Sequence, residues 1–230
     1  MTHENGLMKV ALFGGSFDPP HRGHVALARL AMDRMRLDRV LIAPVGTQPL
    51  KHETAASFED RVEMVRLAFA DEPGMEVSPV DSSREDGRPN YTIDTILELK
   101  RDLSAADRLF CLMGADSFLT IGKWYRPAEL LVTCDFIVGS RPGFDLGRLV
   151  AGLPESVSVA TEEADLPGCL VLGLHGKGGG DSRLYLLPDL AEDVSATEVR
   201  TALSQGTIID APRVLDPAVA KYIRKRRLYG

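Results

Sequence analysis

Short apolar runs alternate with stretches of helical spacing along most of this chain. Residues 9–13, with Val10-Ala11-Leu12-Phe13 at their centre, predict a strand. Residues 22–36 predict a helix, because Val25, Ala28, Ala31 and Met35 recur at spacings of three and four, with Leu30 also apolar. Arg39-Val40-Leu41-Ile42-Ala43 predicts a second strand, apolar nearly throughout, as in a parallel sheet covered on both faces. Ser57 with Asp60 forms a loose capping box for a helix ending near Ala70. A weaker strand at 76–80 and a polar loop at 81–90 lead to a helix at 92–103. Leu109-Phe110-Cys111-Leu112-Met113 is another buried strand, Pro127 suits the first turn of a helix through Leu131, and 135–139 is the next strand. This alternation predicts an α/β fold, a doubly wound parallel sheet with right-handed crossovers.

The rest is less regular. Residues 44–54 lack periodicity and read as a mobile loop, and the pattern over 141–182 is poor. Gly176-Lys177-Gly178-Gly179-Gly180 has no strand before it and no helix after it, so it reads as a flexible connector rather than a phosphate site. Residues 183–187 predict a last short strand. Ser195-Ala196-Thr197-Glu198 is a capping box opening a helix to about Leu203. Asp216-Pro217 opens a final helix whose Lys221, Arg224, Lys225, Arg226 and Arg227 complement its C-terminal dipole and face solvent. The expected organisation is a tail at 1–8 and one domain at 9–230, with 183–230 as its small helical C-terminal part.

Candidate chemistry concentrates where the first strand meets the first helix, in Gly14-Gly15-Ser16-Phe17-Asp18-Pro19-Pro20-His21-Arg22-Gly23-His24. The glycines leave no side chain at the strand end, so a phosphate can approach bare backbone N–H groups. The prolines stiffen the turn, and the helix directs its positive end into the same space. His21 and His24, three apart, share one face of the first turn and suit a polyphosphate. Such a pair also caps or packs in other settings, or holds a metal, although no cysteine or carboxylate cluster completes a metal site here. Ser195, Thr197 and Arg200 offer a second phosphate-type element: a helix N-terminus, two hydroxyls and a guanidinium one turn in.

Composition narrows the classes. The chain has 230 residues, 44% of them hydrophobic, which is ample for one α/β core. No apolar run approaches the ~20 residues of a membrane span, and the start of the chain carries no apolar signal core. A net charge of −6 argues against a nucleic-acid backbone as main partner. Cys111, Cys134 and Cys169 are widely spaced and form no Cys-x-x-Cys pair, as expected of reduced thiols in the cytoplasm. Oligomeric state is not legible.

The glycine loop resembles the His-x-Gly-His signature of the nucleotidyltransferase superfamily, and Ser195 to Arg200 resembles its Ser-x-Thr-x-x-Arg element. Asn90-Tyr91-Thr92-Ile93-Asp94-Thr95, Gly114-Ala115-Asp116-Ser117, Trp124-Tyr125, Arg141-Pro142-Gly143, Tyr222-Ile223 and Leu228-Tyr229 extend the likeness to bacterial nicotinate-nucleotide adenylyltransferase. The resemblance implies a Rossmann-like nucleotidyltransferase fold and adenylyl transfer from ATP to nicotinate mononucleotide, giving nicotinate adenine dinucleotide and pyrophosphate in NAD biosynthesis. It implies that His21 and His24 are catalytic. Gly14, Gly15, Ser16, Phe17, Ser195, Thr197 and Arg200 would hold ATP, and Mg²⁺ would accompany it. Thr92, Asp116, Trp124, Tyr125 and Arg141 would bind the mononucleotide, with Trp124 stacking on the nicotinate ring. Trp124 as a packing residue and Asp116 as a helix cap are the plain alternatives. Ser16 stands where the family commonly has Thr, and Gln48-Pro49-Leu50-Lys51-His52 departs from its Pro-Pro-His-Lys string, which leaves Lys51 without an assigned role. Phosphopantetheine adenylyltransferases and cytidylyltransferases share the histidine loop but not the full set of motifs. A nucleotide-sensing binding protein and a phosphate-ester hydrolase are the readings from other classes.

Overall fold

The computed structural model describes residues 7–49, 54–140, 145–163, 166–188, 190, 194–205 and 211–230. The described strands are β1 (Lys9–Gly15), β2 (Arg39–Pro44), β3 (Met75–Val77), β4 (Arg108–Gly114), β5 (Asp135–Gly139), β6 (Val157–Glu162), β7 (Leu170–Gly176) and β8 (Asp181–Leu187). They form one sheet in the order β3-β2-β1-β4-β5-β8-β7-β6. Pairing is parallel from β3 to β8 and antiparallel at β8–β7 and β7–β6.

The period-2 alternation of each central strand sorts its side chains into two layers. Val10, Leu12, Cys111, Met113, Phe136 and Val138 face one cluster with Ile93, Ile96, Phe118 and Leu130. Those partners come from α3 (Thr92–Asp102), α4 (Ala115–Phe118) and α5 (Pro127–Thr133). Ala11, Phe13, Phe110, Leu112 and Ile137 face the other, with Val25, Ala28 and Ala31 of α1 (Arg22–Met35) and Val65 of α2 (Phe58–Ala68). A one-residue slip of any such strand would exchange the two sets, so register and burial fix each other. Each fully buried Leu, Ile or Phe contributes about 1.5–3 kcal/mol.

A third cluster lies off the sheet, where Met64 of α2 meets Val199 of α7 (Ala196–Ser204) and Val219, Ala220 and Ile223 of α9 (Pro217–Arg226). Asp60, buried in α2, accepts from Tyr222 Oη at 2.9 Å and Arg226 Nε at 3.0 Å, which ties α9 down. Of the C-terminal part set at 183–230, α9 docks on α2 with the short α8 (Ala211–Val214) ahead of it, whereas 183–187 belong to β8 within the sheet. No described helix is long and apolar enough to cross a membrane.

Two expectations are corrected. The region 141–182, without a legible pattern, contains α6 (Leu146–Ala151), β6 and β7, and it turns one end of the parallel sheet antiparallel. Only Val157 of β6 is buried, as befits an edge strand, so its sequence carries almost no apolar signal. The glycine run is not a slack connector but the β7–β8 hairpin turn. Gly176 N–H donates to Gly180 O at 3.1 Å, and Gly179 and Gly180 take φ values of 96° and 87°.

β2 and β3 lie on one side of β1, β4 and β5 on the other. The order therefore reverses between β1 and β4, and a ligand crevice forms at the carboxyl ends of parallel strands at such a switch point.

Candidate active site

β1 ends in Gly14-Gly15 at that crevice, and the chain turns through Ser16, Phe17 and Asp18 into α1. Phe17 adopts a left-handed φ of 47°, a conformation costing about 1–3 kcal/mol for a non-glycine residue. Its ring is 1% exposed and meets Phe13 edge-on at 5.4 Å, and burial of that size offsets the cost.

The loop is braced from behind. Arg61, itself 1% exposed, donates from Nη1 to Ser16 O and from Nη2 to Val45 O, both at 2.8 Å. Burial pulls its pKa down, and the Asp18 carboxylate opposes the shift. Asp18 accepts from Ala55 N–H at 2.7 Å on one carboxylate oxygen. On the other it accepts from Ala56 N–H at 3.1 Å and Tyr229 Oη at 2.6 Å. The described part of the 44–54 loop is likewise tied. Val45 N–H reaches Gly15 O, Gly46 N–H reaches Asp81 O, and Thr47 N–H reaches Asn90 Oδ1. Gly46 has no alternative here, since a Cβ would lie 2.2 Å from Ser83 N. Lys51 and His52 lie outside the described residues.

His21 is the N-cap of α1, and His24 sits on its first turn. Their ring centroids are 3.8 Å apart. His21 N–H donates to His24 Nδ1 at 3.1 Å. An imidazole nitrogen that accepts carries no proton, so neutral His24 keeps its proton on Nε2 and presents that N–H as a donor. Burial pushes His21 down to about 4. Desolvation first, then the neighbouring His21, holds His24 well below the usual imidazole range, and the backbone contact with His21 opposes. Both rings are thus neutral at pH 7, and His21 Nδ1 is buried without a hydrogen-bond partner.

Beside the loop a cavity of about 550 Å³ opens. Gly14, Gly15 and Ser16 line it on one side and Thr92, Trp124 and Tyr125 on another, with Leu12 and Cys111 of β1 and β4 also in the wall. Trp124 Nε1 donates to Thr120 Oγ1 at 3.1 Å, which pins the indole edge. Tyr125 stacks on Tyr91 at 4.2 Å. Asp81 also lines the cavity. Thr95 Oγ1 donates to it, and burial raises its carboxyl pKa against that bond.

α7 closes the loop side. Ser195 caps it, accepting from Glu198 N–H at 3.2 Å. Arg200 Nη1 donates to Asp18 O at 2.6 Å and Nη2 to Thr197 Oγ1 at 3.2 Å. A Cβ on Gly23 would lie 3.7 Å from Val194 O, so the start of α7 borders the start of α1.

The structure therefore gathers Gly14, Gly15, Ser16, Thr92, Trp124 and Tyr125 around one cavity. It places Phe17, His21 and His24 in ring contact but outside the cavity wall, and it links Arg200 both to Asp18 and to Thr197. Asp116 stands exposed in α4, next to the cavity-lining Ser117 but not in the wall. Arg141 lies outside the described residues. Arg61 and Asp81 were not singled out from the sequence, and Asp18 and Tyr229 stood there only inside quoted motifs, without a role. Arg61 left a trace as a charge inside the apolar stripe of Phe58, Val65 and Ala68.

Comparison with known proteins sets this geometry in context. The cytidylyltransferase-like family matches residues 12–202. A curated protein of Laribacter hongkongensis (strain HLHK9), named "Probable nicotinate-nucleotide adenylyltransferase", is 37% identical over 96% of this chain and 94% of its own length. A protein of the same name from Geobacter sp. (strain M21) is 38% identical over 96% and 98%. The solved structure titled "Plasmodium falciparum nicotinic acid mononucleotide adenylyltransferase complexed with NaAD" superposes with a TM-score of 0.68, covering 96% of this chain and 97% of that one. At 18% identity that likeness speaks to the fold.

Proposed function

Because the chain belongs to the nicotinate-nucleotide adenylyltransferase family, within the cytidylyltransferase-like group, we propose that it transfers the adenylyl group of ATP to nicotinate mononucleotide in NAD biosynthesis. The products are nicotinate adenine dinucleotide and pyrophosphate. One observation carries the reading: Gly14, Gly15 and Ser16, which lead into the histidine pair, share a cavity with Thr92, Trp124 and Tyr125. A phosphate-transfer end and an aromatic acceptor end thus lie side by side.

The mononucleotide phosphate oxygen forms a bond to the ATP α-phosphorus as the bond to the β-phosphate oxygen breaks, and the displaced pair leaves as pyrophosphate. The protein's task is to position the partners and to meet the charge that develops. In this reading the Gly14, Gly15, Ser16 and Phe17 backbone cradles the phosphates. His24 donates from Nε2, and His21 stands beside it. Each imidazole, neutral in the free protein, gains affinity for a proton as polyphosphate charge arrives. Ser195, Thr197 and Arg200 hold the triphosphate from the other side. Arg200 spends two nitrogens on Asp18 and Thr197 and retains N–H groups of its five-donor fork. Trp124 offers its face to the nicotinate ring, and backbone N–H groups near Thr92 and Tyr125 receive the carboxylate. Asp116 is assigned to the ribose and Arg141 to the mononucleotide.

Mg²⁺ enters as part of the substrate, MgATP. The hydrogen bonds on both Asp18 oxygens, and the lack of a converging His, Cys, Asp or Glu trio among the described residues, favour an ion held by phosphates and water. We place the reaction in the cytoplasm, which suits three free cysteines, two of them buried.

The test is pyrophosphate release from MgATP with nicotinate mononucleotide, its amide analogue and phosphopantetheine offered separately. Fast release with the acid form supports the assignment. Release only with phosphopantetheine keeps the phosphate loop and overturns the nicotinate pocket. Silence with all three overturns the function.

A further inference from the structure

We infer that Tyr229 is a positioning residue for the phosphate loop, acting through Asp18. The inference rests on the function proposed above. Asp18 lies between Ser16 and His21, is 4% exposed, and receives donors from three remote segments: Ala55 and Ala56, Arg200, and Tyr229. Its carbonyl carries the Arg200 contact, so one residue fixes the loop and also the distance from the loop to the start of α7. Whatever holds the Asp18 carboxylate therefore sets both jaws of the phosphate site.

The chain reaches Asp18 by a defined route. α9 is closed by its C-cap, Arg227, whose φ of 55° is left-handed, and Leu228 N–H closes on Ile223 O at 3.1 Å. That reversal carries Tyr229 back under the loop, where its hydroxyl donates to Asp18 Oδ1 at 2.6 Å. Without the hydroxyl, Oδ1 retains only the longer bond from Ala56, at 3.1 Å, in a place closed to water. A buried carboxylate oxygen that loses a donor shifts to find another, and the Asp18 carbonyl and the Arg200 fork shift with it.

The same segment supplies an internal control. Tyr222 anchors α9 through Asp60, and its hydroxyl bond goes to α2 rather than to Asp18. If Tyr229 only fastened the C-terminal helix, loss of either hydroxyl would have the same consequence.

The experiment compares the full chain with Y229F and Y222F by thermal melting, ATP titration calorimetry, and pyrophosphate release with each substrate varied in turn. Y229F is expected to weaken ATP binding and raise KM for ATP about tenfold, with KM for the mononucleotide unchanged and folding retained. Y222F is expected to leave both constants at the wild-type values. Equal behaviour of the two variants towards ATP overturns the positioning role. So does a Y229F defect that weakens both substrates alike. A wild-type chain that binds ATP but releases no pyrophosphate counts against the proposed function, and the ATP titration still reads the Tyr229–Asp18 contact.

Discussion

The two walls of the site are built on different principles. The phosphate wall is braced over long distances in sequence. Arg61 holds Ser16 from 45 residues away, Arg200 holds Asp18 from 182, and Tyr229 holds it from 211. These bonds are mostly shielded from water, where a broken hydrogen bond costs most. The aromatic wall is held by fewer, shorter-range contacts and is open. Trp124 is pinned by Thr120 four residues earlier, and Tyr125, half exposed, leans on Tyr91. The contrast matches the two tasks proposed for the site. Charge stabilisation loses rate with small displacements, so its donors are preorganised. A flat ring is held by area and tolerates adjustment.

The first way to break this comparison is to remove a group that acts without bracing. His24→Ala deletes the Nε2 donor and should lower kcat by ~10²–10³. The cost in stability should be about 1 kcal/mol, for the hydrogen bond from His21 N–H. A near-normal rate would remove His24 from catalysis. Arg61→Met should do the opposite. It leaves Ser16 O and Val45 O without donors and should destabilise the fold by about 2–4 kcal/mol in a denaturant titration. If the variant were as stable as wild type, the bracing of the loop would be dispensable.

That asymmetry also explains what could be read from the sequence. The phosphate loop, α1, β1, β2, β4 and β5 were legible because each is dictated locally, by apolar period, glycine and cap, whereas β3, expected at 76–80, spans only Met75–Val77. β5 falls on the expected residues, Asp135–Gly139. The braces were not legible. Asp18 looks like a turn residue, and nothing near it in sequence indicates Tyr229. Asp60 was visible as a capping residue for α2, and Ser57 does accept from Asp60 N–H. The bonds from Tyr222 and Arg226 to its carboxylate depend on the final packing. β6 and β7 were missed for a different reason. One is an edge strand with a single buried residue, and the other is an apolar run set among glycines that suggested a linker. Long-range polar contacts and edge strands share this property: the sequence around them does not determine them.

The aromatic wall is sharpened by Trp124→Ala. The indole is half-buried against the core cluster and also lines the cavity, so packing and stacking need separate readouts. Loss of a stack worth ~1–3 kcal/mol should raise KM for the mononucleotide at least about tenfold and leave KM for ATP unchanged. An equal rise for both substrates would make Trp124 a packing residue and return the wall to the core.

The smallest effect tests the phosphate wall at rest. His21 titrates at about 4 in the fold against 6.5 for a free imidazole. Between those values the unfolded chain binds a proton that the native chain refuses. Stability is therefore full above 6.5, falls as the pH drops below it, and levels off below about 4. One pH unit into that window corresponds to about 1 kcal/mol. His21→Asn keeps a strong N-cap residue and removes the titration. Between about pH 7.5 and 5.5 the variant should thus lose about 1 kcal/mol less than wild type, measured by denaturant titration at each pH. A residual loss is expected, because His24 is depressed as well. Identical pH profiles would mean that His21 titrates alike in the folded and unfolded chain, so that burial does not hold it neutral. Near pH 6 part of the sites would then meet polyphosphate with a charge already in place, rather than with neutral donors that acquire one on binding.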